Sequence, residues 1–265
     1  MSSTATGATM TKKTTPGGAP AAGRWLFHHQ PRPSARVRLF CLPYAGGGAS
    51  VYRGWGARLP QSIEVCPVQL PGRENRLGEQ PFTRLPALVE ALAEALGPLL
   101  LDKPFGLFGH SMGALVGFEL ARLLGRERGL APEHLFVAAH RAPQLPPLDG
   151  PSYDLPEAEL VEELRRLGGT PRPVLEHPEL MSLVLPLLRA DMAVCQTYEY
   201  APGPTPACPF TALGGLSDPD VTRERLEAWR AQTTGRFKLR MLPGDHFFLH
   251  TTQTEILRVI ADELH

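Results

Sequence analysis

Pro104-Phe-Gly-Leu-Phe-Gly-His-Ser-Met-Gly-Ala-Leu-Val-Gly-Phe-Glu-Leu-Ala-Arg122 is the stretch on which the fold turns. Residues 104–108 form a short apolar run opened by proline, as a strand is, and from Met112 to Leu124 the apolar residues recur at helical spacing. Between them Gly109-His-Ser-Met-Gly113 matches G-x-S-x-G, where a serine stands on a sharp strand-to-helix turn and the glycines relieve backbone crowding. In a chain with 26 glycines the pentapeptide carries little weight alone. The strand before it and the helix after it supply the weight, and they predict Ser111 as a nucleophile.

Outward from this stretch the same alternation recurs. Arg36–Leu42 is an apolar run that ends in Pro43 and the turn Ala45-Gly-Gly-Gly48; then come a run at 63–70, a helical stretch at 85–101 and the run His134–Ala139. Further on lie a strand at 210–213, a helix at 221–232, a strand at 236–242 and a helix from about Gln253. Near-continuously hydrophobic strands alternating with helices predict an α/β fold, a mostly parallel central sheet with helices on both faces. Between Arg141 and about Pro206 the alternation fails. Helical patches at 157–167 and 179–198 make this stretch a helical lid insertion or an ordinary helical layer of the core, and both readings stand. Residues 1–23, rich in Thr, Ala, Gly, Pro and Ser, are expected to be a disordered N-terminal tail, leaving 24–265 as one domain.

The 27 basic and 27 acidic residues cancel, so no net field draws the chain to nucleic acid or an anionic membrane. Cys41, Cys66, Cys195 and Cys208 form no CxxC pair and are expected to be reduced. The N-terminus has no apolar stretch of the signal-peptide kind, and no apolar run approaches membrane-spanning length, so a cytoplasmic protein without membrane attachment is expected.

A serine hydroxyl needs a general base within hydrogen-bond reach and an acid to orient that base. In the α/β-hydrolase fold, to which the strand, elbow and helix point, the chain order is Ser, then Asp or Glu, then His. Of the nine histidines, His246 lies in Leu242-Pro-Gly-Asp-His-Phe-Phe248, a loop after the last expected strand, where side chains face the crevice of an open sheet. His250 follows four residues later, and His134 begins a strand at its wrong end. The acid should follow the preceding strand, where Asp218 and Asp220 stand. Asp218 is nearer the strand end, and Asp220 suits a helix cap. For the oxyanion, donors are expected from the Met112 backbone N–H and from the loop after the first strand, where Ala45 is the choice and Gly46 the neighbouring alternative.

The blocks Leu42-Pro-Tyr-Ala-Gly-Gly47, Gln69-Leu-Pro-Gly-Arg73, Phe108-Gly-His-Ser-Met-Gly-Ala114, Arg141-Ala-Pro143, Gly214-Gly-Leu-Ser-Asp-Pro219 and Gly244-Asp-His-Phe-Phe248 resemble the type II thioesterases that accompany polyketide synthases and nonribosomal peptide synthetases. The resemblance spans about residues 36 to 262. It implies Ser111 as nucleophile, His246 as base, Asp218 as orienting acid, and the Ala45 and Met112 amides as the oxyanion hole. It implies as substrate an acyl thioester on the phosphopantetheine arm of an acyl or peptidyl carrier protein, met transiently by a monomer with no cofactor or metal of its own. Rival readings are a carboxylesterase or lipase of free small esters, an acyltransferase with the same triad, and a fold that docks a carrier protein without catalysis.

Overall fold

The computed structural model describes residues 21–148 and 150–264. Six apolar runs form strands β1 (Val37–Leu42), β2 (Ile63–Pro67), β3 (Phe105–His110), β4 (His134–Ala138), β5 (Phe210–Gly215) and β6 (Phe237–Leu242). All pair in parallel, in the order β2-β1-β3-β4-β5-β6. The helices are α1 (Ala21–Trp25), α2 (Trp55–Arg58), α3 (Leu85–Asp102), α4 (Met112–Arg128), α5 (Glu157–Leu167), α6 (Arg172–Leu175), α7 (Pro178–Gln196), α8 (Arg223–Glu227), α9 (Phe248–Thr251) and α10 (Gln253–Glu263).

β1 to β5 are mostly apolar and buried along their whole length because both faces of the sheet are covered. Successive side chains of a strand point to opposite faces, so Phe40 and Leu42 join the core under α3 and α4, while Leu39 and Cys41 join the one that holds Trp55, Phe248 and Ile260. β6 is the exception. It lies at one edge, and of its six residues only Leu242 is buried. The other edge is covered: Leu26 pairs antiparallel with Val68 just past the end of β2, and the Gln69 N–H donates to the Trp25 carbonyl at 2.8 Å. Residues 21–23, the end of the expected tail, are the first turn of α1; the rest of that tail lies outside the described residues.

Between β4 and β5 the chain forms α5, α6 and α7, with no strand among the described residues. α7 has two buried stripes at helical spacing. Met181, Leu185, Leu188 and Met192 pack with Leu160 and Leu164 of α5 in a small cluster of their own. Leu187, Asp191 and Val194 face the body of the protein, Val194 within the main core. The helix is therefore a wall shared by both, roof support on one side and core layer on the other.

The expected helix at 221–232 is divided into α8 and a 3-10 stretch, Ala228–Gln232. Thr222 caps α8, so Asp220 is not its cap. The stretch is tied down by Trp229, whose indole N–H donates to the His140 carbonyl, and by buried Gln232, bonded to Gln144 and Tyr200. These tertiary bonds override the helical pattern. All four cysteines are free, and three of them are buried.

Candidate active site

The strand order changes direction between β1 and β3, which opens a crevice at their carboxyl ends. Ser111 sits there, between β3 and α4, with φ 52° and ψ −116°, a conformation that costs a non-glycine residue on the order of 1–3 kcal/mol. The surroundings hold it so: its N–H donates to the Ala138 carbonyl of β4 at 2.8 Å. A Cβ on Gly109 would overlap the Gly113 backbone, and one on Gly113 would overlap the Leu42 carbonyl, so the two glycines let α4 pass close to β3 and β1.

The Ser111 hydroxyl donates to His246 Nε2 at 3.0 Å, and His246 Nδ1–H donates to Asp218 Oδ2 at 2.7 Å. An ionised carboxylate only accepts, which fixes the imidazole tautomer. Asp218 Oδ1 accepts from the amides of Asp220 and Val221, each at 3.0 Å. Burial alone would raise the Asp218 pKa, but the His246 hydrogen bond and charge and the two amides bring it below the ordinary value. Asp220 instead lies 3.7 Å from Arg166.

His250 and His134, also weighed from the sequence, are engaged elsewhere. His250 Nε2 hydrogen-bonds the Tyr44 hydroxyl at 2.9 Å, and His134 Nε2 meets Thr211 Oγ1 at 2.8 Å. His110, fully buried, donates from Nε2 to the His246 carbonyl at 2.8 Å and so supports the loop that presents His246. Burial pushes its pKa down to about 3, which keeps the ring neutral. His265 lies outside the described residues.

The loop after β1 places the Ala45, Gly46 and Gly47 backbone beside Ser111 in one cavity. The Gly46 N–H donates to Asp191 Oδ2 at 2.7 Å. Arg73 clamps the same carboxylate through both Nη atoms, at 2.7 and 2.8 Å, and donates to the Gly47 carbonyl at 3.0 Å. Gln69 takes the Ala49 N–H and donates to the Arg73 carbonyl. Gly46 is thus engaged, whereas the Ala45 and Met112 amides have no hydrogen-bond partner among the described residues. Sequence reasoning assigned no role to Asp191, although an acidic residue inside the apolar run Leu187-Leu-Arg-Ala-Asp-Met-Ala193 is a signal of a buried partner.

Ser111 and His246 line two cavities. One, of about 410 Å³, is walled by apolar side chains of the insertion, including Leu164, Val174, Val184, Leu188 and Met192. The other, of about 350 Å³, lies toward β4 and contains Arg141, Arg225 and Tyr198. Elsewhere His29, Glu64 and Cys66 converge, but Glu64 already pairs with His29, Arg38 and Lys103, and burial pushes the Cys66 thiol up, so the donor set does not suit a metal. No described helix is long and apolar enough to cross a membrane.

The thioesterase domain family model matches residues 37–264. The chain belongs to the thioesterase family. The thioesterase is 46% identical over 241 residues to the gramicidin S biosynthesis protein GrsT of Aneurinibacillus migulanus, covering 91% of this chain and 94% of that protein. It superposes with a TM-score of 0.82 on the RedJ thioesterase of the prodiginine pathway in Streptomyces coelicolor, at 42% identity, covering 94% of this chain and 96% of that one. The type II thioesterase BorB from the borrelidin biosynthetic cluster gives the same TM-score of 0.82 at 39% identity, covering 91% of this chain and 98% of that one.

Proposed function

We propose that this thioesterase hydrolyses acyl thioesters held on the phosphopantetheine arm of an acyl or peptidyl carrier protein, as a type II enzyme clearing polyketide or nonribosomal peptide assembly lines. The observation that carries the reading is the hydrogen-bonded chain from Ser111 through His246 to Asp218, at a crevice where two backbone amides are unengaged. The names of the relatives, drawn from gramicidin S, prodiginine and borrelidin biosynthesis, support the substrate.

In the proposed reaction Ser111 Oγ attacks the thioester carbonyl and its proton passes to His246 Nε2, while Asp218 stays ionised and steadies the imidazolium. The carbonyl oxygen, now an anion, accepts from the Ala45 and Met112 amides. Collapse breaks the C–S bond, His246 returns the proton to the leaving sulfur, and the acyl group remains on Ser111. Water then gives a proton to His246 and attacks the acyl carbon. A second collapse frees the carboxylic acid and restores the Ser111 hydroxyl. No cofactor enters these steps. The thioesterase acts as a monomer in the cytoplasm, and its contact with the carrier protein lasts one turnover.

The test is Ser111→Ala assayed on acyl carrier protein and on a free ester of the same acyl group. Wild type is expected to prefer the carrier-bound thioester, and the variant to fold normally and lose turnover by on the order of 10³-fold or more. Retained turnover of acyl carrier protein by Ser111→Ala would overturn the reading. Preference for the free ester would move the substrate to that class, and an acyl product on an added amine or alcohol would make the enzyme a transferase.

A further inference from the structure

The cavity toward β4 carries charge that the triad does not use. Arg141, three residues beyond β4, and Arg225 in α8 both line it together with Ser111 and His246. Arg141 Nε donates to the Leu145 carbonyl at 3.0 Å, and an Nη of Arg225 donates to the Pro146 carbonyl at 2.7 Å. Neighbouring carbonyls of one loop thus orient both side chains without neutralising them. Among the described residues neither guanidinium forms an ion pair with a carboxylate, and Arg225 Nε is buried with no hydrogen-bond partner.

The acidic residues described on the same wall, Glu163 and Asp220, are committed elsewhere. Both Glu163 oxygens accept from Arg166, at 2.7 and 2.8 Å, and Asp220 lies 3.7 Å from the same guanidinium. His140, also on the wall, is kept neutral, since burial and then the Arg141 charge push its pKa down to about 3. The Arg141 guanidinium itself is held below its ordinary pKa by burial and by the nearby Arg225 charge. Two like charges in a half-buried cavity with no counter-ion among the described residues are destabilising for the free protein. They become favourable when an oxyanion enters, because a guanidinium fork matches the oxygens of a carboxylate or phosphate.

We infer that Arg141 and Arg225 form an anion subsite that binds a carboxylate or phosphate group of the substrate, beside the nucleophile and apart from the apolar chamber. The inference rests on the proposed thioester substrate. Such a substrate carries the required anion in either of two places: the phosphate of the phosphopantetheine arm, or a free carboxylate on the acyl group. The apolar chamber, walled by Val184, Leu188 and Met192, offers no cation for either and suits the neutral chain.

The experiment measures Arg225→Gln and Arg141→Gln, with the lysine replacements at each position, on three thioesters. These are butyryl-N-acetylcysteamine, which bears no anion, butyryl-phosphopantetheine, and succinyl-N-acetylcysteamine. Loss of a charge-assisted contact is expected to raise KM about tenfold for the anionic thioester that uses the subsite, to leave the neutral one within about twofold, and to be partly restored by lysine. A selective loss on butyryl-phosphopantetheine assigns the arm phosphate, and one on succinyl-N-acetylcysteamine assigns an acyl carboxylate. Equal change on all three thioesters, or no change on any, overturns the subsite. Ser111→Ala in the same assay separates the two ideas. If it is inactive while the arginine variants are uniform, only the subsite falls; if it remains active, the serine-hydrolase reading falls.

Discussion

Asp218 divides its two oxygens between a ring and a turn, Oδ2 taking His246 Nδ1–H and Oδ1 taking the amides of Asp220 and Val221. Replacement by Asn keeps the shape and an oxygen for the turn, but it presents an N–H to Nδ1 or forces the other tautomer, which leaves Nε2 unable to accept from Ser111. Asp218→Asn is therefore expected to lower kcat by about 10³- to 10⁴-fold while the thermal midpoint moves little. Steady-state kinetics beside a melting curve checks this, and near-normal kcat would remove Asp218 from the triad. The sequence offered two aspartates in one loop for the orienting acid and favoured Asp218 only for lying nearer the strand end. What separates them is the direction of each side chain: Asp218 points toward a histidine 28 residues later, and Asp220 toward Arg166 in the insertion. Direction of that kind depends on the turn conformation, which no spacing rule supplies.

At the scale of elements, β1 to β5 were readable because burial on both faces writes a mostly apolar run, and α5 matches its expected bounds of 157–167. β2 is shorter than its run, since Val68 and Leu70 remain buried after the strand ends at Pro67. An acidic residue in an apolar run signals that Asp191 has a buried partner, but the sequence does not say that the partner is Arg73 and the loop after β1. Asp191 lies 118 residues from Arg73 and 145 from Gly46, and only the folded chain brings the three together. Removing one partner of a buried ion pair strands the other, so Asp191→Ala is expected to cost about 3–5 kcal/mol in urea unfolding. It also frees the Gly46 amide and the loop that carries Ala45, so kcat is expected to fall more than KM rises. The double variant Arg73→Met, Asp191→Leu discriminates: it should recover much of the stability and little of kcat, because no acceptor holds Gly46. Full recovery of both would reduce the pair to a packing feature.

For the whole molecule, three buried histidines contribute to the response to acid, ahead of the carboxylates whose pKa values are held low. Burial pushes His110 and His140 to about 3 and His134 to about 4. Their unfolded pKa is about 6.5, so below that value the unfolded chain binds protons that the folded one refuses. The stability they contribute is complete above about pH 6.5 and is lost as pH falls toward the folded values. Each histidine contributes a slope of up to about 1.4 kcal/mol per pH unit. Urea midpoints are expected to drop steeply between pH 6.5 and pH 4, and a flat profile would show that all three rings accept a proton in place. The same scale gives the two stripes of α7 a consequence for motion. Leu187, Asp191 and Val194 bind the helix to the body, whereas α5 and α6 touch a cluster built almost wholly from insertion residues. In deuterium exchange the amides of α5 and α6 should therefore become labelled well before those of α7, the roof breathing over a beam that stays in place.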